Sequence, residues 1–426
     1  MLETLKNAWK IKELRNKIFF TIFIILIFRI GAVIPVPYVD AAALQSATET
    51  GATNEFFSYL SILTGGGLEY GAIFAMSVTP YINASIIIQL LCVAIPYLER
   101  LSKEGEEGQK KLAQIMRYAT VVLALIQGTA YFFYLKNSRY LSVRGGATVF
   151  AAFVIILAFT AGSALVMWLG ERIDEKGIGN GISMLLFAGI LSRGPQAFHA
   201  LWVYLVDYKR YFAVLGIVAA FLIIIAFVVW MTAAERRIPI QYAKRVVGNK
   251  MYGGQNTHMP IKVNMSGVMP IIFASSILML PTMILSFMRD TTTSWYKFLS
   301  LFSVQGVFYA VIYFLLIIGF AYFYATIQFN PIEMANNLRK NGGAIPGIRP
   351  GKPTSDFISK ILSRITLMGA IFLSAIAILP IIIGNVGGIN ISLGGTSVLI
   401  MVGVALDTVR NLESQMMMRH YKGFLD

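Results

Sequence analysis

The chain has 426 residues, 57% of them hydrophobic and only 13% charged, with a formal net charge of +15. Soluble proteins carry roughly 25% charged residues, so this composition excludes a soluble enzyme and a disordered chain. Cys92 is the single cysteine, which excludes an internal disulfide framework.

The first 17 residues, MLETLKNAWKIKELRNK, read as a charged helix lying at a surface. They are too long and too mixed for the start of a cleavable signal peptide, and no small-residue cleavage site follows Val33–Pro37. The first apolar run is therefore expected to be retained. Apolar runs occupy about 18–35, 72–95, 112–134, 148–170, 182–199, 213–234, 264–288, 304–327, 362–384 and 393–411. A helix needs ~20 apolar residues to cross ~30 Å of hydrocarbon, so the runs predict an all-α membrane protein of ten transmembrane helices. The fifth run is interrupted by Arg193, Gly194 and Pro195.

Charge placement tests this map. With the N-terminus inside, the inner segments 1–17, 96–117, 171–181, 235–263, 328–364 and 410–426 hold 27 Lys and Arg. The outer segments 136–144, 193–210 and 289–297 hold 8. Cytoplasmic loops are enriched in these residues, so both termini are placed in the cytoplasm. The same excess also suits an anionic partner such as lipid headgroups or RNA phosphates. Glu99 and Asp407 lie at span ends, and Arg29 alone lies at depth. Ion-coupled transport generally uses an ionisable group inside the bilayer, so a proton or sodium pump is disfavoured.

Span two contains PYINASII from Pro80, and span seven contains PIIFASSI from Pro270. The shared pattern P-x-I-x-A-S-x-I recurs at an offset of five helices, which an inverted-topology repeat would produce. Prolines in a span free backbone groups that neighbours or a wet cavity must satisfy, which places spans two and seven beside a central path. The segment from Phe56 to Gly67 is too short to span. It reads either as a short helix on a glycine tether or as an outer loop on the membrane surface. Gly177–Gly181 lacks the spacing of a dinucleotide fingerprint and reads as a tight inner turn, and Pro350-Gly351-Lys352-Pro353 lacks the serine or threonine of a phosphate loop. His199, His258 and His420 are scattered, so neither a metal site nor a cofactor is indicated. No catalytic motif is present, and the chain is not expected to be an enzyme.

The stretches FRIGAVIPVP (28–37), TPYINASIIIQLL (79–91), GEEGQKKLAQIMRY (105–118), KGIGNGIS (176–183), FAGI (187–190), IQYAKR (240–245), QNTHMPIKVNMSGVMPIIFASSI (255–277), NPIEMANNLRKNGGAIPGIRPGKPT (330–354) and GGTSVLIMVGVALD (394–407) resemble bacterial members of the SecY family. The likeness runs in order from about residue 15 to the C-terminus. It implies two pseudo-symmetric inverted halves around an hourglass pore, here 1–200 (helices 1–5) and 201–426 (helices 6–10). It implies a plug at about 56–67, with Phe57, Leu60, Ile62, Leu63, Gly65, Gly66 and Gly67. It carries a pore ring onto Val78, Ile82, Leu186, Ile190, Ile272 and Ile400. Val78/Ile82 and Leu186/Ile190 are each spaced i, i+4, so each pair shares a helix face, and branched aliphatics can seal by dewetting. Val78 and Leu186 stand where relatives often have Ile.

Spans two and three against seven and eight would form a lateral gate with Asn83, Gln89, Gln127 and Leu280, where buried amides need partners. The inner loops 235–263 and 328–364 offer Arg236, Arg237, Lys244, Arg245, Lys250, Arg339, Lys340, Arg349 and Lys352. By resemblance these dock the SecA motor ATPase or the ribosome, whose phosphates basic side chains bind without reading sequence. The implied function is a passive, gated protein-conducting channel. It exports unfolded preproteins and releases hydrophobic segments, including signal sequences, into membrane lipid. The resemblance adds the partners SecE and SecG and a bacterial plasma-membrane location. The rival reading, a small-molecule transporter or lipid flippase with inverted repeats, needs a polar mid-membrane site that no charged pair supplies. A scaffold without a pore is disfavoured by the glycine-tethered outer segment.

Overall fold

The computed structural model describes residues 9–49, 61, 64–143, 147–206, 211–242, 245–247, 250–252, 256–264, 267–287, 294–302, 306–387 and 395–422. Chain contacts gather into two compact units. One comprises 1–211, 279–304 and 404–426, the other 212–278 and 305–403.

The first unit begins with α1 (Lys12–Gly31) and α2 (Ala41–Glu49). Helix α3 (Thr79–Ala94) starts with Pro80 in its first turn, where the missing N–H costs nothing. It stops because Ile95 precedes Pro96 and is driven to φ −110°, ψ 114°. The chain then bends by 104° into the short α4 (Pro96–Lys103). Helices α5 (Glu106–Asn137) and α6 (Thr148–Lys176) pack along each other, α3 packs along α5, and α1 lies against α6 and α7 (Gly181–Leu191). Arg117 on α5 pairs with Glu171 on α6 at 2.7 Å. Helix α8 (Gly194–Val206) follows α7 after a break at Ser192–Arg193, so the fifth predicted span is two short helices.

The predicted turn at 177–181 is present. Gly179 takes φ +74°, Asn180 caps α7 by accepting from the Ser183 N–H at 2.9 Å, and Asp174 accepts from the Gly181 N–H at 2.7 Å.

Span two departs from its predicted start. The run 72–78 is apolar enough for a helix, yet residues 65–78 form turns and α3 begins only at Thr79. The cause is the end of α1, whose free carbonyls recruit this strip. Phe74 N–H donates to Gly31 O, Ile73 N–H to Ile34 O, and Pro35 bridges Ala72. Non-helical backbone is tolerated at membrane depth when protein encloses it, and Ala72, Phe74, Ala75 and Met76 are all buried.

The second unit contains α9 (Tyr211–Ala233, less its first residue), the N-terminal part of α10 (Met269–Phe287), α12 (Val307–Gln328), α13 (Pro331–Lys340) and α14 (Lys352–Gly387). Helix α11 (Ser294–Ser300) groups with the first unit, and α15 (Gly395–Lys422) is divided between the two near Gly403. Helix α12 packs along α14. Phe227 of α9 meets Phe372 of α14 edge-on at 5.2 Å.

The loop 235–263 contains strands, which the sequence reading did not anticipate. Strand β1 (Glu235–Tyr242) pairs antiparallel with β4 (Asn256–Lys262) and with β5 (Gly343–Ala344), giving the order β4-β1-β5. Strands β2 (Arg245–Val247) and β3 (Lys250–Tyr252) form a separate hairpin. Ile238, Ile261, Ile345, Ile358, Leu362 and Ile365 make a core under the sheet.

Among the described residues, five stretches are long and apolar enough to cross a membrane: Glu106–Asn137, Thr148–Lys176, Val214–Ala233, Val307–Lys340 and Lys352–Leu379. The bent pair α3–α4 makes up to six among the described residues. Charges in α1 and the break between α7 and α8 keep the first and fifth predicted spans out of that set.

Candidate functional site

Four of the six residues singled out for the ring lie in the first unit. Val78 precedes the first residue of α3 and is buried, and its carbonyl accepts from the Ile82 N–H at 3.0 Å. Val78 and Leu186 belong to one apolar cluster with Phe28, Phe74, Val166 and Leu185, and the half-buried Ile82 packs against it. Ile190, one turn beyond Leu186 on α7, is 1% exposed. The turn strip 72–78 and α7 thus bring aliphatic side chains of spans two and five together. In the second unit, Ile272 is half-buried in the first turn of α10 and Ile400 is buried on α15.

The gate amides sit in different settings. Asn83 Oδ1 is enclosed with no hydrogen-bond partner among the described residues. Gln89 Nε2 donates to Ser85 Oγ at 3.2 Å, one turn earlier on the same helix. Gln127 is half-buried on α5. The Leu280 side chain lies outside the described residues, as do Phe57, Leu60, Ile62 and Leu63 of the plug segment. Gly65, Gly66 and Gly67 are described in a turn.

That turn is held by polar side chains from two other elements. Arg29 Nη1 and Ser192 Oγ both donate to the Gly65 carbonyl, at 3.2 and 3.4 Å. Arg193 pairs with Glu69 and donates to Ser61 Oγ, and Ser61 donates in turn to Glu69 at 2.7 Å. Sequence reading assigned Arg29 and Arg193 no role. Their one visible signal was a guanidinium inside a predicted span.

The basic residues of the two inner loops share one body, because β5 from the second loop pairs with β1 from the first. Arg236 and Arg237 on β1 are exposed, with Arg237 held by Glu235 at 2.7 Å. Arg339 and Lys340 end α13, and Arg349 and Lys352 flank a turn closed by the Thr354 hydroxyl donating to the Arg349 carbonyl at 2.9 Å; all four are exposed. Arg245 and Lys250 lie on the β2–β3 hairpin, while Lys244 lies outside the described residues.

Long apolar helices, a broken span and an enclosed non-helical strip mark a multi-pass membrane protein. The SecY family profile matches residues 72–409. A relative described as protein translocase subunit SecY, from Mycobacterium tuberculosis, is 43% identical over 444 residues, covering all of both chains. A solved structure described as that of a protein-conducting channel matches with TM-score 0.62 at 16% identity, covering 94% of this chain and 92% of the other. The yeast Ssh1 complex bound to the yeast 80S ribosome matches with TM-score 0.59 at 15% identity, covering 92% and 88%.

The chain belongs to the SecY family. It is a protein-translocation channel subunit and not an enzyme.

Proposed function

We propose that the chain forms a passive, gated path through which partners drive unfolded polypeptides. Val78, Ile82, Leu186, Ile190, Ile272 and Ile400 act as its dry collar, and residues of about 56–67 act as its plug. Asn83, Gln89, Gln127 and Leu280 line a side opening toward lipid, and the halves 1–200 and 201–426 move to admit the substrate. The observation that carries the reading is the packing of Val78, Ile82 and Leu186 in one apolar cluster at the end of a non-helical strip. Such a seal excludes water yet deforms around a chain, because branched aliphatics hold no fixed hydrogen bonds.

The shared body of the inner loops supports docking of a cytosolic driver, SecA or a ribosome, at Arg236, Arg237, Arg339, Lys340, Arg349 and Lys352. Exposed cations on and beside one sheet suit phosphate or carboxylate surfaces. SecE and SecG complete the complex in a bacterial plasma membrane, with both termini in the cytoplasm.

The test is a stalled preprotein carrying a photocrosslinker, offered to channels labelled at Ile82→Cys, Ile190→Cys or the exposed α9 position Ile223→Cys. Adducts at 82 and 190 but not at 223 are expected, and uniform labelling refutes the collar. Arg349→Glu is expected to reduce SecA-driven transport about tenfold while membrane insertion of the channel is unchanged. Its basis is the reversal of one exposed charge at an electrostatic surface. Normal transport removes Arg349 from the docking surface.

A further inference from the structure

Arg193 and Glu69 are charged groups only 11% and 15% exposed in their side chains. They belong to different elements, the α7–α8 break and the turn after the plug segment, and they meet with Ser61 in a closed ring. Arg193 donates to Ser61 at 2.6 Å and pairs with Glu69, and Ser61 donates to Glu69 at 2.7 Å. Arg29, Ser192 and Tyr131 add donors from three directions. The first two donate to the Gly65 carbonyl, and the Tyr131 hydroxyl donates to the Leu68 carbonyl at 2.8 Å. Hydrogen bonds from three helical elements thus converge on Ser61 and the turn 65–69.

A pair of this kind is a poor device for raising stability, because desolvation offsets much of its attraction. It is a good device for specifying one placement, since breaking it strands a charge out of water. Arg193 Nε is enclosed without a hydrogen-bond partner among the described residues, so the ring leaves one donor unsatisfied.

We infer that Arg193 and Glu69, bridged by Ser61, are the positioning residues that latch the plug in the closed channel. Opening then requires water or the passing chain to separate them. This rests on the reading of 56–67 as the plug.

The experiment measures ion leak from vesicles of phosphatidylethanolamine and phosphatidylglycerol containing the full chain, with thermal unfolding followed on the same samples. Glu69→Gln and Arg193→Gln each strand one buried charge and are expected to raise leak on the order of tenfold or more. The exchange Glu69→Arg with Arg193→Glu is expected to return it to within about twofold of the parent, because the pair is restored with reversed sign. Arg117→Gln, which breaks an exposed pair elsewhere, is expected to leave leak unchanged. Single variants that leak like the parent overturn the latch, as does an exchange that stays open. Should the single variants not be recovered, a recovered and closed exchange supports the latch and an unrecovered one overturns it. Deletion of 56–67 separates the two ideas. A leaking deletion beside tight single variants ends the latch and keeps the plug, whereas a tight deletion ends both.

Discussion

The stretch leading into α3 and the stretch leading into α10 are built alike, each within its own unit. Pro80 and Pro270 both sit in a first helical turn, and the residues three before them, Ser77 and Gly267, take φ 49° and 59°. The Ile82 N–H donates to the Val78 carbonyl at 3.0 Å, and the Ile272 N–H to the Val268 carbonyl at 3.2 Å. Seven residues before each proline, the carbonyls of Ile73 and Val263 lie against glycines, Gly162 of α6 and Gly369 of α14. The difference lies in the fillings. Where the second unit has Phe273, 1% exposed and edge-on to Phe320 at 5.7 Å, the first has Asn83, whose enclosed oxygen has no partner among the described residues. Where the second has Gly267, the first has Ser77, whose hydroxyl likewise has no partner among the described residues. The scaffold is duplicated, while strain and unpaired polar groups collect beside Val78 and Ile82, as they do at working sites.

The glycines test the duplicated scaffold. A Cβ on Gly162 would overlap the Ile73 carbonyl, and one on Gly369 would sit 2.6 Å from the Val263 carbonyl. Backbone cannot yield as a side chain does, so Gly162→Val and Gly369→Val should each cost about 3 kcal/mol or more, with Gly162→Val the worse. Thermal unfolding of the detergent-solubilised protein measures this. A tolerated substitution in one unit alone would break the equivalence of the two stretches.

The fillings carry effects of comparable size. Phe273→Asn removes a buried ring and encloses an amide, for an expected loss of about 3–5 kcal/mol. Asn83→Leu removes an unsatisfied buried oxygen and should gain about 1 kcal/mol. A loss of stability at Asn83→Leu would mean that the amide has a partner within the folded chain. A gain in stability accompanied by slower side release of a signal sequence would sharpen its assignment to the gate.

The repeat was legible because Pro, Ser and the Ile spacing survive in both copies, and the turn at 177–181 because Gly and Asn have few other uses there. The start of α3 was not. Residues 72–78, AIFAMSV, contain no local breaker, and what unwinds them is the supply of free carbonyls at Gly31 and Ile34, some 40 residues away. The sheet was half visible. Ile238 and Ile240 alternate with exposed neighbours on β1, but the pattern is short and embedded in a basic run that charge alone explained. The Arg193–Glu69 pair could not be read at all, since nothing in a sequence says which of its charges will be enclosed together. Of the ring, the apolar character and the i, i+4 spacing were readable from residues. The choice of those six aliphatics among many came from resemblance.

The smallest effect decides what kind of strain the first unit holds. A non-glycine residue in the left-handed region costs roughly 1–2 kcal/mol, and glycine returns about 0.5–1 kcal/mol of that through the greater freedom of its unfolded chain. Ser77→Gly should therefore stabilise by about 0.5–1 kcal/mol, and more if loss of the unpartnered hydroxyl counts. Gly267→Ser should destabilise by a similar amount from the backbone alone, because a Cβ there meets nothing within 4 Å among the described residues. Opposite signs of near-equal size would place the cost in the shared backbone turn. If Ser77→Gly instead destabilises, the serine hydroxyl is engaged in the folded protein and the strain at Val78 is held by a hydrogen bond, not by packing.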